Sequence, residues 1–238
     1  MSIYYHERLI CYGNSLKQNG NFFLLLFENR ITTLNYLAHI FLSGRDSLIQ
    51  IGNFIGDFVK GNRLNTYPEH IRVGIVLHRK MDTFTDSHEI VRETIALLRP
   101  AFGRYSGILV DMYFDYFLAN NFTKYAPQTS LNRFAYRFYF SSLINYKYLP
   151  DRVKGFIFHF IFTNRLGKYA SLEGLKRSLE IMSIYKVSAI NPGKTIDFLI
   201  QNHDELGKRF HQFFPELIEF VKKELNEPDN LFDKKVGV

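Results

Sequence analysis

The stretch HRKMDTFTDSHE places His78, Asp82 and Asp86 at successive four-residue intervals, with apolar Leu77, Met81 and Phe84 close by. Residues four apart share one face of a helix, so an imidazole and two carboxylates would form a single stripe. The pattern recurs. Asn35 and His39 are four apart in NYLAHIFL, Asn53 and Asp57 in GNFIGDFVKG, and Asp111 and Asp115 in DMYFDYFLA. Large apolar neighbours surround each pair, which predicts that several of these polar groups are partly buried. Two like charges four apart cost a helix about 0.2–0.5 kcal/mol, and burying an unpaired carboxylate costs several kcal/mol more. A divalent cation bound by imidazole and carboxylate would offset both. This ligand set suits Mn²⁺, Mg²⁺ or Fe²⁺ better than a thiolate-rich zinc site does.

The same residues also fit a purely structural reading. A single His–Asp pair at this spacing is more often a satisfied contact than a metal site. His39 fits a core histidine, Asp86 a cap for the helix around Glu89, and Asp111 a partner for Arg79. Four pairs between residues 35 and 115 bring a shared site level with separate contacts, and on spacing alone both readings stand. Gly52 and Gly56, again four apart, either permit a close helix approach beside Asp57 or are ordinary packing glycines. His6, His70, His88, His159, His203 and His211 show no comparable pattern and are assigned no chemistry.

The elements that must carry these residues are helical. Apolar periodicity predicts helices over 34–42, 47–59, 69–82, 88–98, 105–121, 131–145, 152–163, 172–185 and 194–225, the last broken near Pro215. Asp46 or Ser47 can cap one start, Pro68 can open another and Gly61 can close one. GFIFHFIF (155–162) could pass for a buried strand, but no partner strand is evident, so an all-α domain without repeats is expected. With no Trp, 24 Phe and 15 Tyr must supply most of the bulky core. Residues 1–33 follow no clear period, and they are read as an appendage to a domain over 34–238.

Composition narrows the function classes. The only cysteine, Cys11, excludes an intramolecular disulfide and fits a reducing compartment. No run approaches the ~20 apolar residues of a membrane span, and FFLLLF (22–27) is short for a signal-peptide core. A cytoplasmic protein with no membrane partner is expected. The formal charge of +7 favours an acidic partner. No arginine-rich tract or nucleic-acid motif appears; an acidic protein or a phosphorylated small molecule fits the charge equally well, and charge alone does not decide between them.

At these same residues the chain resembles the acyl carrier protein phosphodiesterases. The resemblance runs from LNYLAHIFLS through GNFIGDFVKG, HRKMDTFTDSHE and DMYFDYFLA to NRLGKYASLEGLKRSL, and covers nearly all of residues 34–220. It implies a single compact multi-helix domain related to the HD phosphohydrolases, which are helical and use a divalent metal. It also implies release of 4′-phosphopantetheine from holo-acyl carrier protein, with Mn²⁺ as the favoured ion and Mg²⁺ or Fe²⁺ as substitutes. By motif, His39, Asp57, His78, Asp82, Asp111 and Asp115 match the family's histidines and acids; the first five are the expected metal ligands, and Asp57 and Asp115, with Arg79 beside the motif histidine, the expected catalytic residues. The residue after Asp115 is commonly histidine in the family and is Tyr116 here, while Phe122 stands where an aromatic, often tryptophan, is expected. Leu34 occupies the place of the family's initiator methionine, so residues 1–33 are expected to reflect the choice of gene start.

The resulting expectation is metal-assisted phosphodiester hydrolysis. His39, Asp57, His78 and an acid from Asp82 or Asp111 would hold the ion, and the remaining acid, with Asp115 the candidate, would orient water or donate a proton. Lys60 and Arg79 either neutralise phosphate charge or serve only as exposed solubilising charge, and both readings stand. Lys60, Arg63, Arg72, Arg79 and Lys80 would form a docking face for the acidic carrier protein. The rival expectations are hydrolysis of another phosphodiester or a nucleotide, and a non-catalytic helical module that binds an acidic protein.

Overall fold

The computed structural model describes residues 36–185 and 190–226. The appendage over 1–33, Leu34 and Asn35 lie outside the described residues. Among the described residues the regular elements are all helical, in the order α1 (Tyr36–Leu42), α2 (Ser47–Phe54), α3 (Glu69–Ser87), α4 (Glu89–Phe102), α5 (Ser106–Asn120), α6 (Phe122–Tyr125), α7 (Leu131–Ile144), α8 (Asp151–Phe162), α9 (Arg165–Lys168), α10 (Leu172–Tyr185), α11 (Pro192–Gln201) and α12 (His203–Leu225). The all-α expectation therefore holds, and GFIFHFIF is part of α8. No helix among these residues is long and apolar enough to cross a membrane.

Local signals explain most boundaries. Asp46 caps α2, its Oδ1 accepting from the Leu48 and Ile49 amides at 2.8 and 3.1 Å, and Pro68 precedes α3 as its N-cap. Three expectations need correction. The second helix ends at Phe54 rather than residue 59; Gly56–Phe58 forms a 3-10 turn that swings Asp57 off the α2 face. The helix carrying His78 runs on to Ser87, so Asp86 stays on the same helix as His78 and Asp82. The last predicted helix is two helices, parted at Asn202 and not at Pro215. At Asn202, which caps the end of α11, the backbone N–H and the side-chain amide both donate to the Phe198 carbonyl. Pro215 sits inside α12, where buried Phe213, Phe214 and Leu217 hold the helix against the core despite the lost backbone bond.

Helix α5 is the axle. Eleven of its fifteen residues are buried, and α1, α4 and α12 pack around it. A helix apolar on all sides has to lie inside its domain. Phenylalanine rings supply the bulk expected of them: Phe41 meets Phe122, Phe134 and Phe214, and Phe54 meets Phe138 and Phe160, all with centroids 5.1–6.1 Å apart. Helix α1 is held from α5 by Asp115, whose carboxylate accepts from the Leu37 amide at 3.0 Å and the Ala38 amide at 2.9 Å. These are first-turn amides with no partner inside their own helix.

The closest packing is between α2 and α3. A Cβ on Gly52 would stand 2.1 Å from the Ile71 carbonyl oxygen, and one on Gly74 would stand 2.1 Å from that of Ile49. The close approach expected at Gly52 is present, with Gly74 as its counterpart on α3.

Two outcomes follow from this packing. Gly74→Ala forces backbone apart at the α2–α3 crossing and should cost about 3 kcal/mol in denaturant unfolding; a loss below about 1 kcal/mol would mean that the crossing yields easily. Asp115→Ala should cost about 2–4 kcal/mol through two orphaned amides. Burial raises the Asp115 carboxyl to about 8, against the two backbone hydrogen bonds that favour its charged form. Its contribution is then fully present below the ordinary value of 3.8 and is lost as pH rises through about 8. Thermal melts of the wild type should therefore decline with pH across that window more steeply than those of Asp115→Ala, and parallel profiles would refute the assignment.

Candidate metal centre

The α2–α3 crossing brings the C-terminal end of α2 against the middle of α3, and α1 closes over both. His39 on α1 and His78 on α3 are 4% and 5% exposed, with ring centroids 4.3 Å apart. Gly56 makes room for this pair, since a Cβ there would lie 2.4 Å from Cγ of His78. Nε2 of His39 lies 3.3 Å from Asp82 Oδ1, and Nε2 of His78 lies 3.3 Å from both Asp82 Oδ2 and Asp57 Oδ1. His39, His78 and Asp82 each offer a ligand atom, and these three atoms lie within 4.8 Å of one another.

The far sides of both rings converge on one residue. Oδ1 of the fully buried Asn53 lies 2.7 Å from Nδ1 of His39 and 3.2 Å from Nδ1 of His78. Asn53 is thus joined to two histidines rather than to Asp57, its neighbour by spacing, because α2 ends between the two.

Nε2 of His78 is buried and has no hydrogen-bond partner, although two carboxylate oxygens stand close to it. Leaving such an atom unsatisfied is costly. The other buried nitrogen of this kind among the described residues, Nδ1 of His88, belongs to a ring packed on Phe84 and Phe213. Electrostatics give the same picture. Burial pushes the Asp82 carboxyl up, but the contact with His39 and the two imidazoles outweigh this and hold it below its usual value. Half-buried Asp111 moves the other way: loss of solvent, then Asp82, Asp115, Asp86 and Asp57, raise it well above the usual range. Two imidazole nitrogens, several carboxylates and an orphaned buried nitrogen fit a divalent cation, which would offset the mutual repulsion of the acids.

The expected site residues divide accordingly. His39, Asp57, His78 and Asp82 are brought together, and Asp111 lies within electrostatic reach of both acids. Asp115 does not join them as an acid/base: both its oxygens are occupied by α1 amides. Arg79 donates to the Val59 carbonyl at 2.8 Å instead of meeting Asp111. Lys80 is paired with Glu224. Arg72 is half-buried, lining a cleft on the α3 face away from His78 with Val73 and Val76. Lys60 and Arg63 are exposed a few residues beyond Asp57. Tyr116 packs on Phe117 and His203, in a cluster on α5 and α12, and Phe122 is a packing residue against Phe41 and Phe134. The other histidines make structural contacts, His70 with Asp46, His88 with Glu216 and His211 with Tyr125.

Comparison with known proteins identifies the family to which the chain belongs. The family model described as acyl carrier protein phosphodiesterase matches residues 34–217, a span that contains all of these site residues. Curated proteins named acyl carrier protein phosphodiesterase align along nearly their whole length. That of Pectobacterium atrosepticum is 27% identical over 189 residues, covering 79% of this chain and 98% of the relative. That of Enterobacter sp. (strain 638) is 29% identical over 188 residues, covering 78% and 96%. That of Serratia proteamaculans is 28% identical over 190 residues, covering 79% and 98%. No solved structure matches the chain. With the family model matching more than three-quarters of its length, the chain belongs to the acyl carrier protein phosphodiesterase family.

Proposed function

We propose that the protein is a metal-dependent phosphodiester hydrolase that releases 4′-phosphopantetheine from holo-acyl carrier protein, leaving the apo-protein. The observation that carries this reading is the unpartnered, buried Nε2 of His78, set between Asp57 and Asp82 with Nε2 of His39 beside it. Family membership supplies the substrate class. Kinship with the HD phosphohydrolases rests on the sequence resemblance.

His39, His78, Asp82 and Asp57 would hold the cation, for which Mn²⁺ suits the mixed imidazole and carboxylate set, with Mg²⁺ or Fe²⁺ as substitutes. When bound, such an ion polarises a phosphoryl oxygen and acidifies water, supplying a nucleophile at neutral pH. The rest falls to the chain. Asp111 is the acid left over once Asp115 is committed to α1, and it can hold a proton for the departing serine oxygen. Arg79, fixed to the Val59 carbonyl beside the Asp57 turn, steadies that turn rather than forming part of a mobile docking face. Exposed Lys60 and Arg63 are the cations best placed to attract an acidic carrier protein, because Lys80 is paired with Glu224 and Arg72 lines a cleft on the far face of α3.

Incubation with holo-acyl carrier protein and Mn²⁺, followed by intact-mass measurement, should show conversion to the apo-protein. Asp82→Ala should lower kcat about a thousand-fold while the protein stays folded, since an ion of this kind contributes several kcal/mol to the transition state. Near-normal turnover of that variant at saturating Mn²⁺ would remove the proposed centre. Raising salt, or changing Arg63→Glu, should increase KM for the carrier protein and barely alter cleavage of a small phosphodiester, because attraction between exposed charges is screened over ~8 Å at physiological ionic strength. Equal sensitivity of both substrates would exclude electrostatic docking.

A further inference from the structure

The residues that would touch the ion do not explain why two imidazoles present the correct nitrogen to it. Each neutral imidazole carries one hydrogen, on Nδ1 or Nε2, and only the bare nitrogen can bind a cation. In the metal-binding role His39 and His78 would meet the ion through Nε2, which requires a hydrogen on Nδ1 of each ring. Both Nδ1 atoms lie within hydrogen-bond distance of the same acceptor, Oδ1 of Asn53, at 2.7 and 3.2 Å.

Asn53 could in principle be turned the other way, offering its amide nitrogen to both rings. That orientation would make each Nδ1 an acceptor, move the hydrogens to Nε2 and close both rings to a cation. Met81 opposes it. The Asn53 Nδ2 donates to Met81 Sδ at 3.4 Å; a thioether only accepts, so reversal would set Oδ1 against sulfur and lose that bond. Met81 is 1% exposed and Asn53 fully buried, so water is poorly placed to take over either role.

We propose that Asn53 is a positioning residue that sets the tautomer of both histidines through a single carbonyl oxygen, its own orientation being fixed by Met81. Asn53 touches neither substrate nor ion; it acts through His39 and His78. This inference rests on the metal-binding role given to those histidines, but the tautomers themselves can be measured without any ion.

The test uses the full-length chain with ¹⁵N-labelled histidine. Long-range ¹H–¹⁵N spectra of the metal-free wild type, at about pH 9 where free imidazole is neutral, should show a hydrogen on Nδ1 of both His39 and His78. A bare Nδ1 on either ring overturns the proposal. Mn²⁺ binding, read from the free-ion signal in electron paramagnetic resonance, should weaken about 10–100-fold in Asn53→Leu, the range found when such supporting partners are removed. Asn53→Asp retains an acceptor and should recover most of that loss. An affinity for Asn53→Leu within twofold of wild type, or a folded Asn53→Asp as weak as Asn53→Leu, would also overturn it. Should the wild type show the expected tautomers but bind no Mn²⁺, the metal-dependent function falls while the role of Asn53 in setting the rings stands.

Discussion

Helices α2 and α3 cross where Gly52 and Gly74 present bare backbone to each other, and the position of every polar group in the centre depends on that separation. A single methyl on either glycine would collide with a carbonyl oxygen of the facing helix at 2.1 Å. The crossing sets Asn53 against the His78 and Met81 face of α3, and the 3-10 turn beyond Phe54 then delivers Asp57 to Nε2 of His78. Gly56 extends the same constraint one turn on, giving the His78 ring the space that a side chain would take. Three glycines, two on the crossing helices and one in the 3-10 turn, therefore fix the distances on which an ion site depends. Such sites tolerate only small displacements.

Asp111 and Asp115 show how strongly location governs a carboxylate. They lie four residues apart on one helix and carry the same group. Asp115 is fully buried and meets the first-turn amides of α1, so its charged form is met by two hydrogen bonds. Asp111 has no such hydrogen bonds to offset its loss of solvent, and with the neighbouring acids adding to that loss its carboxyl is raised well above the usual range. One acid holds the helix that carries His39; the other is left with a repulsion that a cation would relieve. Equal spacing in the sequence thus produced one structural and one site-facing group.

How much of this was legible beforehand depended on the range of the interaction. The helices and the caps at Asp46 and Pro68 follow from local rules, and so does the His78/Asp82 stripe, because both residues belong to one long helix. The link from Asn53 to His39 and His78 spans 14 and 25 residues, and no periodicity connects them. The pairing of Asn53 with Asp57 failed for a local reason: it presumed a helix that had already ended. Pro215 misled in the opposite direction, since packing of Phe213, Phe214 and Leu217 outweighs the missing backbone bond there, while the helices part at Asn202, which caps α11.

The charge distribution poses a further constraint on any phosphodiester reaction here. The protein carries +7 overall, yet the residues gathered in the centre are acids, Asp57, Asp82 and Asp111, beside two imidazoles. A phosphodiester anion approaching carboxylates alone would be repelled, and the basic surface cannot cancel that repulsion at contact because exposed charges are screened over ~8 Å. Long-range attraction and local binding must then be carried by different groups. On the proposed function, Lys60 and Arg63 act while the acidic carrier protein is still distant, and they affect encounter more than chemistry. At the reacting phosphate the sign of the centre has to be reversed, which is the task of a cation held by His39, His78, Asp57 and Asp82. The protein can supply the nitrogen lone pairs for that only while both rings keep their hydrogens on Nδ1. On that reading the buried amide of Asn53 would bear on catalysis without approaching the substrate.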